Sequence, residues 1–116
     1  MNRNLKLVIN NSIKKYEEKF FFEKGELKII LNLYAKMVSN GTWKDYSLCT
    51  GNKEISFDVY RGASEKPILR ILKNLRPNYK NEKYLIKDKN GNIILKSENL
   101  KFLIDRSNIG KLRLIE

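Results

Sequence analysis

Residues 54–60 read EISFDVY, and this stretch decides the fold class because apolar and polar side chains alternate along it. In an extended chain, Ile55, Phe57 and Val59 share one face, and the residues between them share the other. Strict alternation is typical of a half-buried antiparallel strand. Further extended segments lie at residues 45–50, 67–75, 83–88 and 93–96, with a terminal one at 111–115. The sequence therefore predicts a mainly antiparallel sheet of about five strands.

Two helices complete the predicted fold. Residues 24–40 carry apolar side chains at helical spacing in two adjacent rows, which predicts a long helix that is buried on both rows. Glu23 and Glu26 have the spacing of a capping box at its start. Ser97 is a good N-cap for a short helix over residues 98–106. The expected architecture is an α+β fold with one long N-terminal helix and one short C-terminal helix.

The length favours one domain, because 116 residues leave little room for two. We expect a single α+β domain over residues 19–116 and a poorly structured N-terminal arm or an edge strand over residues 1–18. No apolar stretch approaches the roughly 20 residues that a membrane-spanning helix needs. The N-terminus has no signal-peptide pattern either. We therefore expect a cytoplasmic protein with no membrane partner.

The composition argues against most catalytic and metal chemistry. The chain has no histidine, which is the commonest general base and metal ligand, and Cys49 is its only cysteine. A zinc site built on cysteines and an internal disulfide are both excluded. The glycines are isolated turn residues and form no phosphate-binding loop. We expect a non-enzymatic protein with no metal and no cofactor.

The positive charge is concentrated in the second half of the chain. The formal charge is +11, and residues 1–58 hold 10 basic and 7 acidic side chains against 14 and 6 in residues 59–116. This asymmetry indicates an acidic partner, for which nucleic acid is the best hypothesis. The alternative is a solvated lysine face that reflects A/T-rich codons, since the sequence has 18 lysines but only 6 arginines.

The candidate nucleic-acid site is a basic stripe on one face of the sheet with an aromatic side chain for stacking. Cations of the third and fourth strands would neutralise phosphates, and Tyr60 at the end of the second strand would stack on a base, with Trp43 and Tyr79 as further candidates. RNA and DNA stay equally open. The candidate residues are Tyr60, Arg61, Arg70, Lys73, Arg76, Lys83 and Lys87.

The second candidate site would bind a protein partner. Its two segments are the junction between the long helix and the first strand, and the turn that follows residues 54–60. Loops carry function disproportionately, but a tight turn and an aromatic plug under the helix explain the same residues structurally. The candidate residues are Trp43, Asp45, Tyr46, Arg61, Ser64 and Glu65.

The chain resembles a family of small alphaproteobacterial proteins, domain of unknown function 2794. The motifs that carry the resemblance are Glu26-Leu27, residues 30–34, 41–46 and 57–65, Pro67, residues 94–96, Leu100 and residues 112–114. Together they extend over about residues 20–115, nearly the whole chain. Two positions depart from the family pattern: Glu23 stands where the family favours Asp, and Gly62 where it favours a basic residue. The resemblance implies a bacterial cytoplasmic setting and no particular activity.

Overall fold

A computed structural model describes residues 21–62 and 66–109. Its helices are α1 (Lys24–Ser39) and α2 (Leu100–Ser107), and a short 3₁₀ turn spans Lys80–Glu82. The strands are β1 (Asp45–Thr50), β2 (Glu54–Tyr60), β3 (Leu69–Asn74), β4 (Tyr84–Asp88) and β5 (Ile93–Ser97). These strands form one antiparallel sheet in chain order. The predicted α+β fold is confirmed, while the predicted arm at 1–18 and strand at 111–115 lie outside the described residues.

α1 packs on the sheet through one side only. Its buried residues are spaced three or four apart, as the helical repeat requires, and are Glu26, Ile30, Leu33 and Met37. Leu31 and Val38, on the first apolar row with Ile30, remain 41% and 40% exposed, while Leu33 and Met37 of the second row are buried. The expectation that both rows are buried is therefore wrong for the first row. The sheet ends at β1, so no described strand lies beyond β1 to cover Leu31 and Val38.

Both ends of α1 are closed by local hydrogen bonds. The Glu23 backbone N–H donates to Glu26 Oε1 at 2.6 Å, which is half of the predicted capping box. At the other end, Gly41 has a φ of +82°, a left-handed conformation that glycine adopts without strain. The chain then turns back, and the Thr42 N–H donates to the Met37 carbonyl at 2.9 Å. This turn delivers the chain to the start of β1.

The middle strands are buried on both faces. Toward α1, the register aligns Phe57, Ile71 and Ile86 across β2, β3 and β4, and all three are at most 1% exposed. On the outer face, Ser56 and Asp58 of β2 are also buried, at 1% and 4% exposure. The strand expected to be half-buried is therefore buried on both faces over residues 55–59. Its polar outer side chains are accommodated because they are hydrogen bonded.

α2 begins later than the sequence predicts. Asn99 is its N-cap, and Asn99 Oδ1 accepts the Phe102 N–H at 2.9 Å. Ser97 instead ends β5, where its hydroxyl oxygen accepts the Asn99 N–H at 3.1 Å. The prediction of Ser97 as N-cap is wrong because an equally good cap lies two residues further on. Neither described helix is long and apolar enough to cross a membrane.

Candidate nucleic-acid interface

The register places two of the predicted cations side by side on the outer face of the sheet. Arg70 of β3 lies directly opposite Lys87 of β4. The Arg70 guanidinium is engaged within the protein, since its Nε donates to Asp58 Oδ1 at 3.0 Å and a terminal nitrogen donates to Ser56 Oγ at 3.2 Å. Partial burial lowers the pKa of Arg70, but the hydrogen bond and charge of Asp58 raise this pKa by more. Arg70 is therefore neutralised within the protein.

Lys73 lies on the opposite face of the sheet and is closed to solvent. It is 6% exposed, and its Nζ donates to Glu26 Oε1 at 2.9 Å. The other oxygen of Glu26 accepts the hydroxyl of Tyr84. Burial, followed by the hydrogen bond to Glu26 and its charge, raises the pKa of Tyr84. We call Glu26, Lys73 and Tyr84 the buried polar cluster; it ties α1 to β3 and β4 and offers nothing to a ligand.

The centre of the outer face is apolar and inaccessible. Leu72 and Leu85 are cross-strand partners there, and they are 0% and 8% exposed. A continuous positive stripe across the sheet does not form, because this buried pair separates the two ends of β3 and β4. At the Arg70 end, a shallow cleft is lined by two carboxylates, Asp58 and Asp88, among its cations. Two further predicted cations, Arg76 and Lys83, lie at the other end.

That other end is the loop between β3 and β4 together with the turn between β1 and β2. The two are joined by the Leu75 N–H, which donates to the Lys53 carbonyl at 2.8 Å. The base of the loop is closed by the Asn74 N–H, which donates to the Lys83 carbonyl at 2.7 Å. We call the exposed residues brought together here the basic loop surface: Lys53, Arg76, Tyr79, Lys80 and Lys83.

Tyr79 is the most exposed aromatic side chain among the described residues, at 70%. It is held at the entrance of the 3₁₀ turn, where its carbonyl accepts the Glu82 N–H at 3.0 Å. Glu82, the acidic residue of this loop, faces Lys96 at 3.9 Å. None of the ion pairs in the described ranges involves Lys53, Arg76, Lys80 or Lys83. The loop that carries Tyr79 and the turn beside it therefore hold cations that no described carboxylate neutralises.

Tyr60 and Arg61 lie at the opposite end of the molecule from this surface. β2 begins just after Lys53 and ends at Tyr60, a separation of about 20 Å for an extended strand. Tyr60 is half-buried, and its hydroxyl is 3.1 Å from Ser47 Oγ. Arg61 is exposed beside it. Tyr60 and the cations of the loop between β3 and β4 are thus not brought together.

The second candidate site is only partly exposed. Trp43 is 3% exposed and lies under α1, with its ring 6.3 Å from that of Tyr34. Asp45 is exposed, and its Oδ1 accepts the Tyr46 N–H at 2.8 Å. Tyr46 is 42% exposed and stacks on Phe57 at 4.8 Å. Ser64 and Glu65 lie outside the described residues.

Lys53 is the site residue that sequence reasoning missed. It lies more than 20 positions before Arg76, and no spacing rule connects a turn lysine to a loop of two other strands. For metals, the described ranges contain no group of three or more Cys, Asp and Glu side chains that could hold an ion. Cys49 Sγ instead donates to Asp58 Oδ2 at 3.3 Å. What the described residues offer is a charged, aromatic surface.

A family model described as a protein of unknown function (DUF2794) matches residues 20–104. The matched range contains α1, all five described strands and the first part of α2. A comparison with curated proteins returns no match, and neither does a comparison with solved structures.

Proposed function

We propose that this protein, which belongs to the DUF2794 family, is non-enzymatic and binds single-stranded nucleic acid through the basic loop surface. The description of the family states no activity, so the function is inferred from that surface. The family membership confirms the resemblance predicted from the motifs. The observation that carries the proposed function is Tyr79, 70% exposed among four cations. Exposing an aromatic ring to water is unfavourable unless a partner covers the ring, and a nucleic-acid base is a flat partner of matching size.

The chemistry of the surface suits an unpaired strand. Ammonium and guanidinium groups neutralise phosphates and release their counterions, which gives affinity without sequence preference. A tyrosine at a loop tip stacks on any unpaired base, whereas the bases of a duplex are already stacked on one another. The four cations come from two separate turns, so a strand that passes over Tyr79 meets positive charge on more than one side. We therefore expect binding that prefers single strands and tolerates any base.

The division of charge along the chain also supports nucleic-acid binding at the basic loop surface. Residues 21–58, the neutral half, hold five lysines and five carboxylates. Residues 66–109, the basic half, hold 11 basic and 4 acidic side chains. A field of this shape steers a polyanion toward β3, β4 and their loop. Lys53 is the one cation of the neutral half that the fold carries to this end.

Fluorescence anisotropy with a labelled oligothymidine tests the proposed function, after co-purified nucleic acid has been removed. Tyr79→Ala should weaken binding roughly 5- to 150-fold, while Tyr79→Phe should retain it, because stacking needs the ring and not the hydroxyl. The double change Lys80→Glu and Lys83→Glu should weaken binding and lower the salt slope by about 0.7 for each phosphate that the variant no longer neutralises. A duplex of the same length should bind less tightly.

The matched control reverses two exposed lysines of α1, Lys28→Glu and Lys36→Glu, so that the net charge changes equally. If the loop and helix variants lose affinity equally, binding is ordinary polycation attraction and the proposed function is wrong. If only the loop variant loses affinity, nucleic acid binds at the basic loop surface. Unchanged affinity in Tyr79→Ala would show that Tyr79 does not stack on a base.

Fewer of the residues predicted to bind a protein partner are accessible on the surface. Trp43, its largest side chain, is buried, and Tyr46 is partly occupied by its stacking on Phe57. Arg61 and Asp45 remain exposed. Pull-downs that survive high salt and are lost with Arg61→Ala would favour this alternative over nucleic acid.

A further inference from the structure

β1 is an edge strand of the described sheet, and its central residues carry none of the usual protection. The strand order leaves one side of β1 unpaired within the described residues. From Tyr46 to Thr50 the strand has no charged side chain, no proline and no register shift against β2. Edge strands are normally blunted by lysine, proline or a bulge. β1 therefore offers a flat, neutral row of hydrogen-bonding groups.

The direction of these groups follows from the register. The Gly51 N–H donates to the Glu54 carbonyl across the turn, so alternate residues back along β1 also face β2. The residues between them, Tyr46, Leu48 and Thr50, turn their backbone N–H and C=O groups away from the sheet. The Tyr46 N–H already donates to Asp45 Oδ1 at 2.8 Å, so the groups open to a further strand are the Tyr46 carbonyl and both backbone groups of Leu48 and Thr50.

An apolar groove runs beside this edge. Leu48 is 51% exposed and lines a cavity of about 220 Å³ with Leu27 of α1. Tyr46 meets Tyr34 of α1 edge-on at 4.9 Å between ring centroids. Leu31 and Val38 follow Leu27 and Tyr34 by four residues on the same side of α1 and are exposed. A contiguous apolar surface of this kind marks an interface.

Charge decides which partner fits the edge. The groove belongs to the neutral half of the chain, so it does not attract a polyanion, and two copies can approach there without repulsion between their basic halves. β1 also has a carboxylate at its first residue, Asp45, and an ammonium just beyond its last, on Lys53. In an antiparallel pair of identical strands, each Asp45 lies near the Lys53 of the other copy. The edge is thus complementary to itself.

We infer that two copies of this chain associate through β1, antiparallel about a two-fold axis, to form one continuous sheet. The pairing with the greatest overlap places Leu48 opposite Leu48 of the second copy, and Tyr46 opposite its Thr50. In this arrangement, Leu31 and Val38 of α1 in each copy cover the apolar groove beside β1 of the other copy. An isologous contact of this kind closes on itself and does not propagate into fibres.

Disulfide trapping in the full chain tests this register. In the inferred pairing, Ser47 lies opposite Cys49 of the second copy in a non-hydrogen-bonded pair, where Cα atoms are about 4.5 Å apart. This distance lies within the range that a disulfide bridges. Ser47→Cys, with the native Cys49, should give a covalent dimer on mild oxidation, whereas the unaltered chain should crosslink slowly because its two Cys49 residues are offset.

The matched control places the same cysteine spacing on the opposite edge of the sheet. In a Cys49→Ser background, Ile94→Cys with Lys96→Cys puts two exposed cysteines on β5. The inference predicts much less covalent dimer from this variant. Equal trapping at both edges, or none at β1, would overturn it.

Sedimentation velocity provides the second measurement. The unaltered chain should show a dimer that dissociates on dilution, and Leu48→Asp should raise its dissociation constant at least tenfold. Ile94→Asp is the control, because Ile94 is 52% exposed and Leu48 is 51% exposed. A monomer at all concentrations, or equal effects of the two variants, would contradict the inference. Circular dichroism verifies that both variants fold, and the trapping result stands without them.

Discussion

The neutral half and the basic half of this domain share one sheet but expose different chemistry. In the neutral half, aromatic rings pack on one another, and the exposed surface along β1 and α1 is apolar. In the basic half, an exposed tyrosine stands among cations with no described carboxylate partner. A net charge of +11 therefore describes neither surface. Where the charges lie decides which partner each surface can bind.

The two halves are joined by the buried polar cluster, and breaking it should have the largest effect. Glu26→Gln leaves the Lys73 ammonium in the core without its carboxylate. We expect a loss of about 3–5 kcal/mol in the free energy of unfolding, measured by urea denaturation. Replacing Glu26 and Lys73 together by methionine should cost less than either single change, because no charge is then left unpaired. A Glu26→Gln variant as stable as the unaltered chain would show that the cluster does not tie the halves together.

The same cluster predicts a loss of stability in alkali. The pKa of Tyr84 is raised in the folded protein, so its hydroxyl stays protonated at a pH where the unfolded chain has lost that proton. This contribution is complete below about pH 10 and is lost as the pH rises above it, at up to about 1.4 kcal/mol per pH unit. Thermal denaturation from neutral to alkaline pH measures it. Tyr84→Phe should flatten this slope, and an unchanged slope would contradict the assignment.

The ion pair of the outer face should contribute less than the buried cluster. Asp58 is buried, but the Arg70 side chain is 30% exposed and can regain water. We expect Asp58→Asn to cost about 1–3 kcal/mol in chemical denaturation, since Arg70 and Cys49 lose a charged acceptor. Arg61→Met serves as the control for loss of an exposed charge and should change stability by at most about 0.5 kcal/mol.

The smallest effects on stability are expected at the two exposed tyrosines of the described ranges, Tyr46 and Tyr79. Tyr46→Ala removes a ring stacked on Phe57, and such pairs contribute about 0.5–1.5 kcal/mol beyond burial. Tyr79→Ala removes a ring that is 70% exposed, so we expect a change within about 0.5 kcal/mol. Urea denaturation of both variants distinguishes a structural tyrosine from one that is free for a ligand. Equal destabilisation would show that Tyr79 is part of the packing.

Some features of the fold were readable because they are local. The alternation in residues 54–60 and the helical spacing from Leu27 onward predicted β2 and α1 with nearly correct ends. The parity of β3 also carried a signal that the predicted stripe ignored: Lys73 shares the face of Leu69 and Ile71, not that of Arg70. Glu26 similarly has core spacing with Ile30 on α1. A lysine and a carboxylate on two core faces predict a buried ion pair.

Other features depend on contacts between distant segments. That Trp43 is buried and Tyr46 exposed follows from the position of β1 at the sheet edge, which neighbouring residues do not specify. Lys53 joins the basic loop surface only through the hydrogen bond between its carbonyl and the Leu75 N–H. The separation of Tyr60 from this loop follows from the direction of β2. None of these placements leaves a periodic signal in the chain.

Hydrophobic periodicity and charge are properties of neighbouring residues, so the long helix, the strands and the excess of cations could be read from the chain alone. Which cations meet depends on the tertiary structure. The strand register paired Arg70 with Asp58 and left Arg76, Lys80 and Lys83 without a described carboxylate. The packing of α1 buried Lys73 against Glu26. The physical reason is that the free energy of a charge depends on its burial and its neighbours, and both are set by residues distant along the chain.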